Sequence, residues 1–335
     1  MIDLSIIIVN YKSAALTIDC LQSIYANTHQ LMFEIIVVDN DSLDHSREIV
    51  LSRFPGVVWI DMGYNAGFAR ANNKGIAHSR AAAVLLLNPD TLLQDDAIDQ
   101  CYHLFMASPY VACGVQLINP DHSPQISGNY FIRGGLNHLL PLPYLGAFIR
   151  KLGLVFGAKK PNIPDARSIV EVDWINGAFL MVKRDAIERR GLLDEDFFLY
   201  AEEAEWCSRL SKSGKLCLFG QIRVIHLQGE SATTAFASSD KTYWNLFDRK
   251  GLQIMISNML RIRKQFGSGW FLLMTAVYVF EIPVFFMGLV ISRLLFGRKH
   301  RFSFFQLRGY SRNVARLVRT TPKIISGKPY LYKFL

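Results

Sequence analysis

The first 115 residues repeat one pattern: a short, almost wholly apolar run, a polar break, then a stretch with helical spacing. Runs at 4–9, 34–38, 57–60 and 83–87 are β-branched or leucine-rich and too short for helices. Apolar on both faces, they predict strands buried inside a parallel sheet. Stretches 16–25, 43–54 and 67–79 predict helices between them. Such alternation gives an α/β fold with helices on both faces of the sheet.

Each run ends in side chains that can hold a ligand: Asn10-Tyr11, Asp39-Asn40-Asp41-Ser42, Gly63-Tyr64-Asn65 and Asn88-Pro89-Asp90. In an open parallel sheet, ligands bind at the carboxyl ends of the strands. One such cluster also reads as a turn or a helix cap. Four in succession predict one shared site. Pro89 holds Asn88 in extended geometry, which aims its side chain out of the strand end. In "GYNAGFARANNKG" the G-x-G-x-x-G spacing of a dinucleotide fold is absent.

Charge separates the chain into two parts. The net charge is +9, yet after Glu281 there are 11 Lys or Arg and no Asp or Glu. Residues 1–281 therefore sum to −2. Residues 270–296 are mostly apolar and long enough to cross a bilayer, but Glu281 and Pro283 interrupt them. Both flanks are basic, which predicts that both ends stay on one side. The favoured reading is two short helices hinged near Pro283, lying in or dipping into a membrane. One tilted transmembrane helix is the second reading, and a buried soluble helix pair the third. Arg308, Arg312, Arg316 and Arg319 recur at helical spacing, as in an interfacial helix on an anionic membrane surface. The tail carries no recognised motif of a nucleic-acid binder, so no nucleic-acid partner is expected.

Five Cys (20, 101, 113, 207 and 217) form no C-x-x-C pair and no Cys/His cluster. They predict buried thiols in a reducing compartment. Asp3 interrupts the first apolar run, so no signal peptide is expected and the chain is placed on a cytoplasmic face. Residues 116–172 hold six prolines and an apolar, basic stretch over 139–160, consistent with a substrate loop or a plain surface insertion. Residues 173–232 again read as turn, strand, a helix from about Asp185, an acidic "EEAE" helix start and a last strand ending at His226.

The segments "SIIIVNY", "IIVVDNDS", "GYNAGFARANNKGI", "LLLNPDT", "WINGAFLMVKRDAI", "GLLDEDFFLYAEEAEWCSRLSKSG" and "HLQGES" occur in this order over residues 3–232. Together they resemble glycosyltransferase family 2 enzymes with a GT-A fold, most closely the rhamnosyltransferase-like branch that builds bacterial surface polysaccharides. The resemblance implies a GT-A-type nucleotide-sugar-binding fold with a mainly parallel central sheet over 1–240, followed by a helical membrane-associating region over 241–335. Residues 1–115 would form the nucleotide-sugar-binding half and 116–240 the acceptor and catalytic half.

Residue by residue, the resemblance assigns Val9, Asn10, Tyr11, Asp39, Asn65, Gly67, Phe68, Asn72, Asn88 and Asp90 to the donor. Gly67 would bring backbone N–H groups at a helix start close to phosphate; Arg70 and Lys74 are available to the same group. Asp90 and His226 would hold a divalent metal, Mg²⁺ or Mn²⁺, against the diphosphate. Asn88 stands where the family has the first Asp of an Asp-x-Asp pair. Trp174, Asn176, Gly177 and Glu202 fall on the acceptor side. Glu203 matches the general base, with Glu in place of the family's Asp.

The implied reaction is an inverting transfer from a nucleotide sugar to a lipid-linked glycan at the cytoplasmic face of a bacterial inner membrane. dTDP-rhamnose is the favoured donor and a UDP-sugar the alternative. Two other classes stay open: a nucleotidyltransferase, which would need a basic Gly-rich N-terminal loop that "VNYKSAAL" lacks, and a catalytically impaired GT-A scaffold in a membrane assembly.

Overall fold

The computed structural model describes residues 2–131, 133–155, 162–227, 245–296 and 302–334. The chain divides into two compact units: residues 1–131, 161–198 and 202–237 form the first, and residues 132–160, 199–201 and 238–335 the second.

In the first unit, β1 (Leu4–Asn10), β2 (Phe33–Asp39), β3 (Val58–Asp61) and β4 (Ala83–Leu87) alternate with α1 (Ala14–Ala26), α2 (Ser46–Arg53) and α3 (Gly67–His78). All five residues of β4 are buried, as its composition predicts. Helix α2 starts three residues later than the spacing predicts. Leu43 is left-handed (φ +54°) and exposed in the turn before it.

After Asp90, the chain forms β5 (Thr91–Leu92) and then α4 (Ala97–Met106), β6 (Ala112–Ile118) and β7 (Gly128–Asn129). Next in this unit come β8 (Ile169–Val172), β9 (Trp174–Ile175), β10 (Phe179–Lys183), α6 (Arg184–Arg190), α7 (Glu202–Leu210) and β11 (Leu216–His226). The main sheet runs β3-β2-β1-β4-β10-β6-β11-β5, with β8 also paired to β11. Strands β3, β2, β1 and β4 are mutually parallel; β10 enters antiparallel between β4 and β6. Two apolar clusters cover the two faces, around Ile6, Leu85 and Phe105 on one and Ile7, Leu86 and Trp206 on the other.

Register sets the site edge. Asn10 aligns with Asp39, and Asp39 with Asp61, so the carboxyl ends of β1, β2 and β3 finish level. Leu87 pairs with Ile8, which brings Asn88 and Asp90 to the same edge.

The second unit is helical. It holds a 3₁₀ turn (Arg133–Leu139), α5 (Leu145–Val155), α8 (Arg249–Phe296) and α9 (Phe304–Ser326). The segment read as a substrate loop thus contributes a regular helix here. The break in α8 falls at Gly267 (φ +86°, ψ 173°), not near Pro283, which lies inside the helix. A left-handed, extended residue cannot continue an α-helix, and glycine adopts it at no steric cost.

Glu281 is fully buried and accepts from the backbone N–H groups of Tyr144 (2.7 Å) and Leu145 (3.0 Å), capping α5. Helix α9 begins with a Ser303/Gln306 capping box and buries Tyr310, Val314 and Leu317 against its own unit. Arg308, Arg312, Arg316 and Arg319 form its exposed stripe. The packed side of α9 is apolar, and its exposed surface combines the four arginines with Phe304, Phe305 and Val318.

Candidate active site

Asp90 and His226 meet because β5 folds back onto β11. Thr91 pairs with His226, and the Leu227 N–H donates to the Asp90 carbonyl (2.8 Å). Nε2 of His226 then stands 3.4 Å from Asp90 Oδ1, with 6% of His226 and 1% of Asp90 exposed. The turn reading of Asn88-Pro89-Asp90 as a helix cap does not hold, since Asp90 leads into a strand.

The ring of His226 is oriented by Gln125. The Gln125 Nε2 group donates to the His226 carbonyl (2.6 Å) and to Asn119 Oδ1 (2.7 Å), which turns Oε1 toward His226 Nδ1 (2.9 Å). With Nδ1 turned to Gln125, Nε2 is the ring nitrogen that faces the Asp90 carboxylate. At 3.4 Å the two groups face one point that a cation could share.

This donor set fits a divalent metal whose other ligands come from phosphate oxygens and water. Among the described residues no group of three His, Cys, Asp or Glu gathers around one point; Asp90 and His226 are the two that the resemblance assigns to a metal. The Gln-Gly-Glu-Ser stretch over 228–231 lies outside the described residues. Asn88 is half-buried one turn earlier, its N–H donating to the Ala178 carbonyl (3.1 Å). Beneath it, burial pushes the Cys20 thiol up to about 12, so it fills space as a neutral group.

The contact between Asn88 and Ala178 brings in the acceptor side. Asn176 shapes the turn before β10, accepting from the Ala178 N–H (3.0 Å). At Gly177 an added Cβ would lie 3.7 Å from Glu203 Cγ and 3.7 Å from the Phe68 ring. Gly177, Glu203 and Phe68 are thus neighbours around one backbone point. Trp174 is half-buried in β9, and its indole N–H makes no hydrogen bond among the described residues.

The three acids of α7 separate by environment. Glu205 is gripped by Arg209 through both oxygens (2.8 and 3.0 Å from Nε, 2.8 Å from Nη2). Arg209 also donates to the carbonyls of Arg190 and Leu192, so this pair fastens α7 to the turn before it. Glu202 is buried. Glu203 is half-buried and turned toward Gly177 and Phe68. Two non-glycine residues in left-handed backbone, Tyr200 (φ +72°) and Ala201 (φ +68°), precede them. Such backbone is costly and gathers at functional sites.

On the donor side several expected contacts are replaced by internal ones. Gly67 (φ +83°) approaches protein, not an open phosphate site: an added Cβ would lie 2.2 Å from the Phe198 carbonyl oxygen, which accepts from the Phe68 N–H (2.8 Å). Arg70 donates to the Glu195 carbonyl (3.0 Å), and Asn73 to the Leu193 carbonyl (2.8 Å). Helix α3 is thereby latched to the 193–198 segment. Lys74 is exposed on that helix. Asn72 is buried and donates to the Phe68 carbonyl (2.9 Å). Asn65 accepts from Asn40 Nδ2 (3.1 Å) at the start of α3.

Asn10 is fully buried. Its amide donates to Asp39 (2.7 Å) and Ser42 (3.1 Å) and accepts from Ser13 and Thr17. Its side chain is a structural node, leaving Val9 and Tyr11, both partly exposed, beside it. Asp39 also accepts from the Ser42 N–H (2.9 Å) and hydroxyl. Beyond Asp39 lies a cavity of about 270 Å³, lined also by Asp41, Asp44, Arg47, Trp59 and Asp61. Acids predominate, so it suits hydroxyl or N–H donors better than phosphate.

The mainly parallel sheet is of the GT-A type, and the chain is a glycosyltransferase. Residues 5–158 match the model of glycosyl transferase family 2, and the chain is similar to hexosyl- and rhamnosyltransferases. It is 28% identical over 313 residues to the low-salt glycan biosynthesis hexosyltransferase Agl10 of Haloferax volcanii, covering 89% of this chain and 92% of that one. It is 27% identical to the N-acetylglucosaminyl-diphospho-decaprenol L-rhamnosyltransferase of Mycobacterium tuberculosis, covering 64% and 75%. Among solved structures, the mannosyltransferase PcManGT from Pyrobaculum calidifontis, in complex with GDP-Man and Mn²⁺, superposes with a TM-score of 0.51 at 12% identity. That match covers 98% of this chain and 90% of that one, and it shows the shared fold.

Proposed function

We propose that this chain is an inverting, metal-dependent transferase that moves a hexose, in the first instance rhamnose from dTDP-rhamnose, onto a polyprenyl-diphosphate-linked glycan at the cytoplasmic face of a bacterial inner membrane. The observation that carries the reading is the Asp90–His226 pair on the same strand edge as the Gly177–Glu203–Phe68 cluster. A divalent cation held there would neutralise the departing diphosphate, and a nitrogen ligand favours Mn²⁺ over Mg²⁺. The acid-lined cavity beside Asp39 takes the nucleoside, whose hydroxyls and base N–H groups are donors.

Glu203 removes the acceptor hydroxyl proton. The oxygen attacks the anomeric carbon, the bond from that carbon to the phosphate oxygen breaks, and the nucleoside diphosphate leaves with the electron pair. The attack from the opposite face inverts the anomer. No acid is needed on the leaving oxygen. Trp174 offers an indole face to the acceptor sugar, with Asn176 and Glu202 on the same side.

Support for the membrane comes from α8. Beyond Gly267 its outer face exposes Leu272, Leu273, Val279, Phe280, Phe286, Met287, Ile291 and Leu294 at heptad spacing. The stripe runs roughly 33 Å at 1.5 Å per residue. The Mycobacterium relative's decaprenol-linked substrate supports a lipid-borne acceptor.

The test is transfer from a panel of nucleotide sugars to a short polyprenyl-diphosphate glycan, with and without Mn²⁺. Metal-dependent release of dTDP with an inverted product supports the reading. Turnover unaffected by chelation overturns its metal part, and turnover only with another donor overturns its rhamnose part.

A further inference from the structure

The second unit carries 22 Lys or Arg against 3 Asp or Glu, a net of +19, while the first carries 15 against 25. Two of the three acids are described, and both are engaged inside the unit: Glu281 caps α5, and Asp248 accepts from Gly251 N–H and Asn245. The unit therefore presents cations and apolar side chains together, a combination that matches an anionic lipid surface.

Helix α5 has the same two-sided character. Phe148 (58% exposed), Leu152 and Val155 (80% exposed) lie at i, i+4 and i+7, so they share one face. Arg150 and Lys151 are exposed beside them. The start of the helix is fixed on α8. Glu281 binds the N–H groups of Tyr144 and Leu145, and the Tyr144 ring lies against Gly288, where an added Cβ would come within 2.5 Å of it. The Tyr144 hydroxyl reaches Ser292 (3.4 Å) and its ring packs on Phe285 (5.8 Å). These contacts hold α5 beside the part of α8 that exposes Phe280, Phe286, Met287 and Ile291.

We infer that α5 is a second membrane-entering element: Phe148, Leu152 and Val155 insert among the acyl chains of an anionic bilayer while Arg150 and Lys151 stay with the headgroups. The inference rests on the membrane reading of α8 and extends it to a helix far away in sequence. Charge complementarity selects lipid over a protein partner. The carboxylate of Glu281 is the device that makes the two elements one surface, because it binds the free N–H groups at the start of α5.

The five native cysteines are buried, so a thiol probe reports an introduced cysteine in the folded full chain. Phe148→Cys carrying an environment-sensitive fluorophore is mixed with vesicles of phosphatidylcholine and phosphatidylglycerol, about seven to three. Ser52→Cys, exposed in the first unit, is the control. The expected result is a severalfold rise in emission at 148, quenched by brominated acyl chains, with no change at 52. Serine at 148, 152 and 155 together should weaken vesicle partition about tenfold with the circular-dichroism melt retained.

An unchanged label at 148 on vesicle-bound protein overturns the role of α5 and leaves that of α8 standing. Failure to bind vesicles at all overturns the membrane reading itself. A rise in emission without vesicles that grows with protein concentration shows that a second copy covers the face, and overturns the proposal.

Discussion

Gln125 Oε1 lies 2.9 Å from Nδ1 of His226, one hundred and one residues away in sequence, and this contact decides which nitrogen faces Asp90. Gln125→Leu removes the acceptor and frees the ring to turn. Outer partners of metal-bound histidines are worth about 10–100-fold in metal affinity. Calorimetric titration of Mn²⁺ in the presence of dTDP should show a loss in that range, alongside a lower melting temperature from the buried partners left unpaired. An unaltered affinity would show that Gln125 is only structural.

Glu203→Gln and Glu205→Gln should part company. The first should abolish transfer while nucleotide-sugar binding and stability persist, since the amide keeps the shape of the Glu203 side chain beside Gly177 and Phe68 and removes only its basicity. The second removes a bidentate partner of Arg209 and should cost about 1–3 kcal/mol in denaturant unfolding. Paired assays of turnover and urea midpoint separate the two.

Gly67→Ala should destabilise the catalytic unit. Its Cβ would meet the Phe198 carbonyl at 2.2 Å, and φ of +83° disfavours any L side chain. Left-handed backbone and overpacking together cost roughly 2–5 kcal/mol. Gly177→Ala meets only ordinary contacts and should fold normally, so its effect should appear in the acceptor KM and not in the melt.

Acid should weaken the second unit through His138. Burial, and then the Arg261 guanidinium beside it (3.4 Å), lower its pKa from 6.5 to about 3. The unfolded imidazole takes a proton near pH 6.5 and the folded one only near 3. Between these values the unfolded state binds more protons, so stability is full above 6.5 and falls as pH drops toward 3. His138→Asn should flatten the slope of unfolding free energy against pH across that window.

The strands and helices of residues 1–115 were legible because each is a local signal: a period, a length and a polar stop. Asp90, His226 and Glu203 stood out through their place in an ordered series of segments, and the structure brings Asp90 to His226. Gln125 was not, because it sits in an irregular, proline-containing segment and its partner is remote. Gly67 invited a phosphate because helix starts bind anions, whereas the Phe198 carbonyl takes that position. Pro283 misled in the opposite direction: proline is the obvious helix breaker, yet the break needs a left-handed residue, which only Gly267 supplies. Glu281 looked like a burden for a greasy helix until its partners on α5 were seen.

Gln125 belongs to a small surface hairpin, closed by the Asn119 N–H donating to the Ser123 carbonyl (2.8 Å) and turned by His122 in left-handed backbone. The electron richness of the nitrogen facing Asp90 is therefore written partly in a loop that supplies none of the proposed reacting groups. Descendants of this chain could retune cation preference by drift in that loop, keeping every reacting group in place.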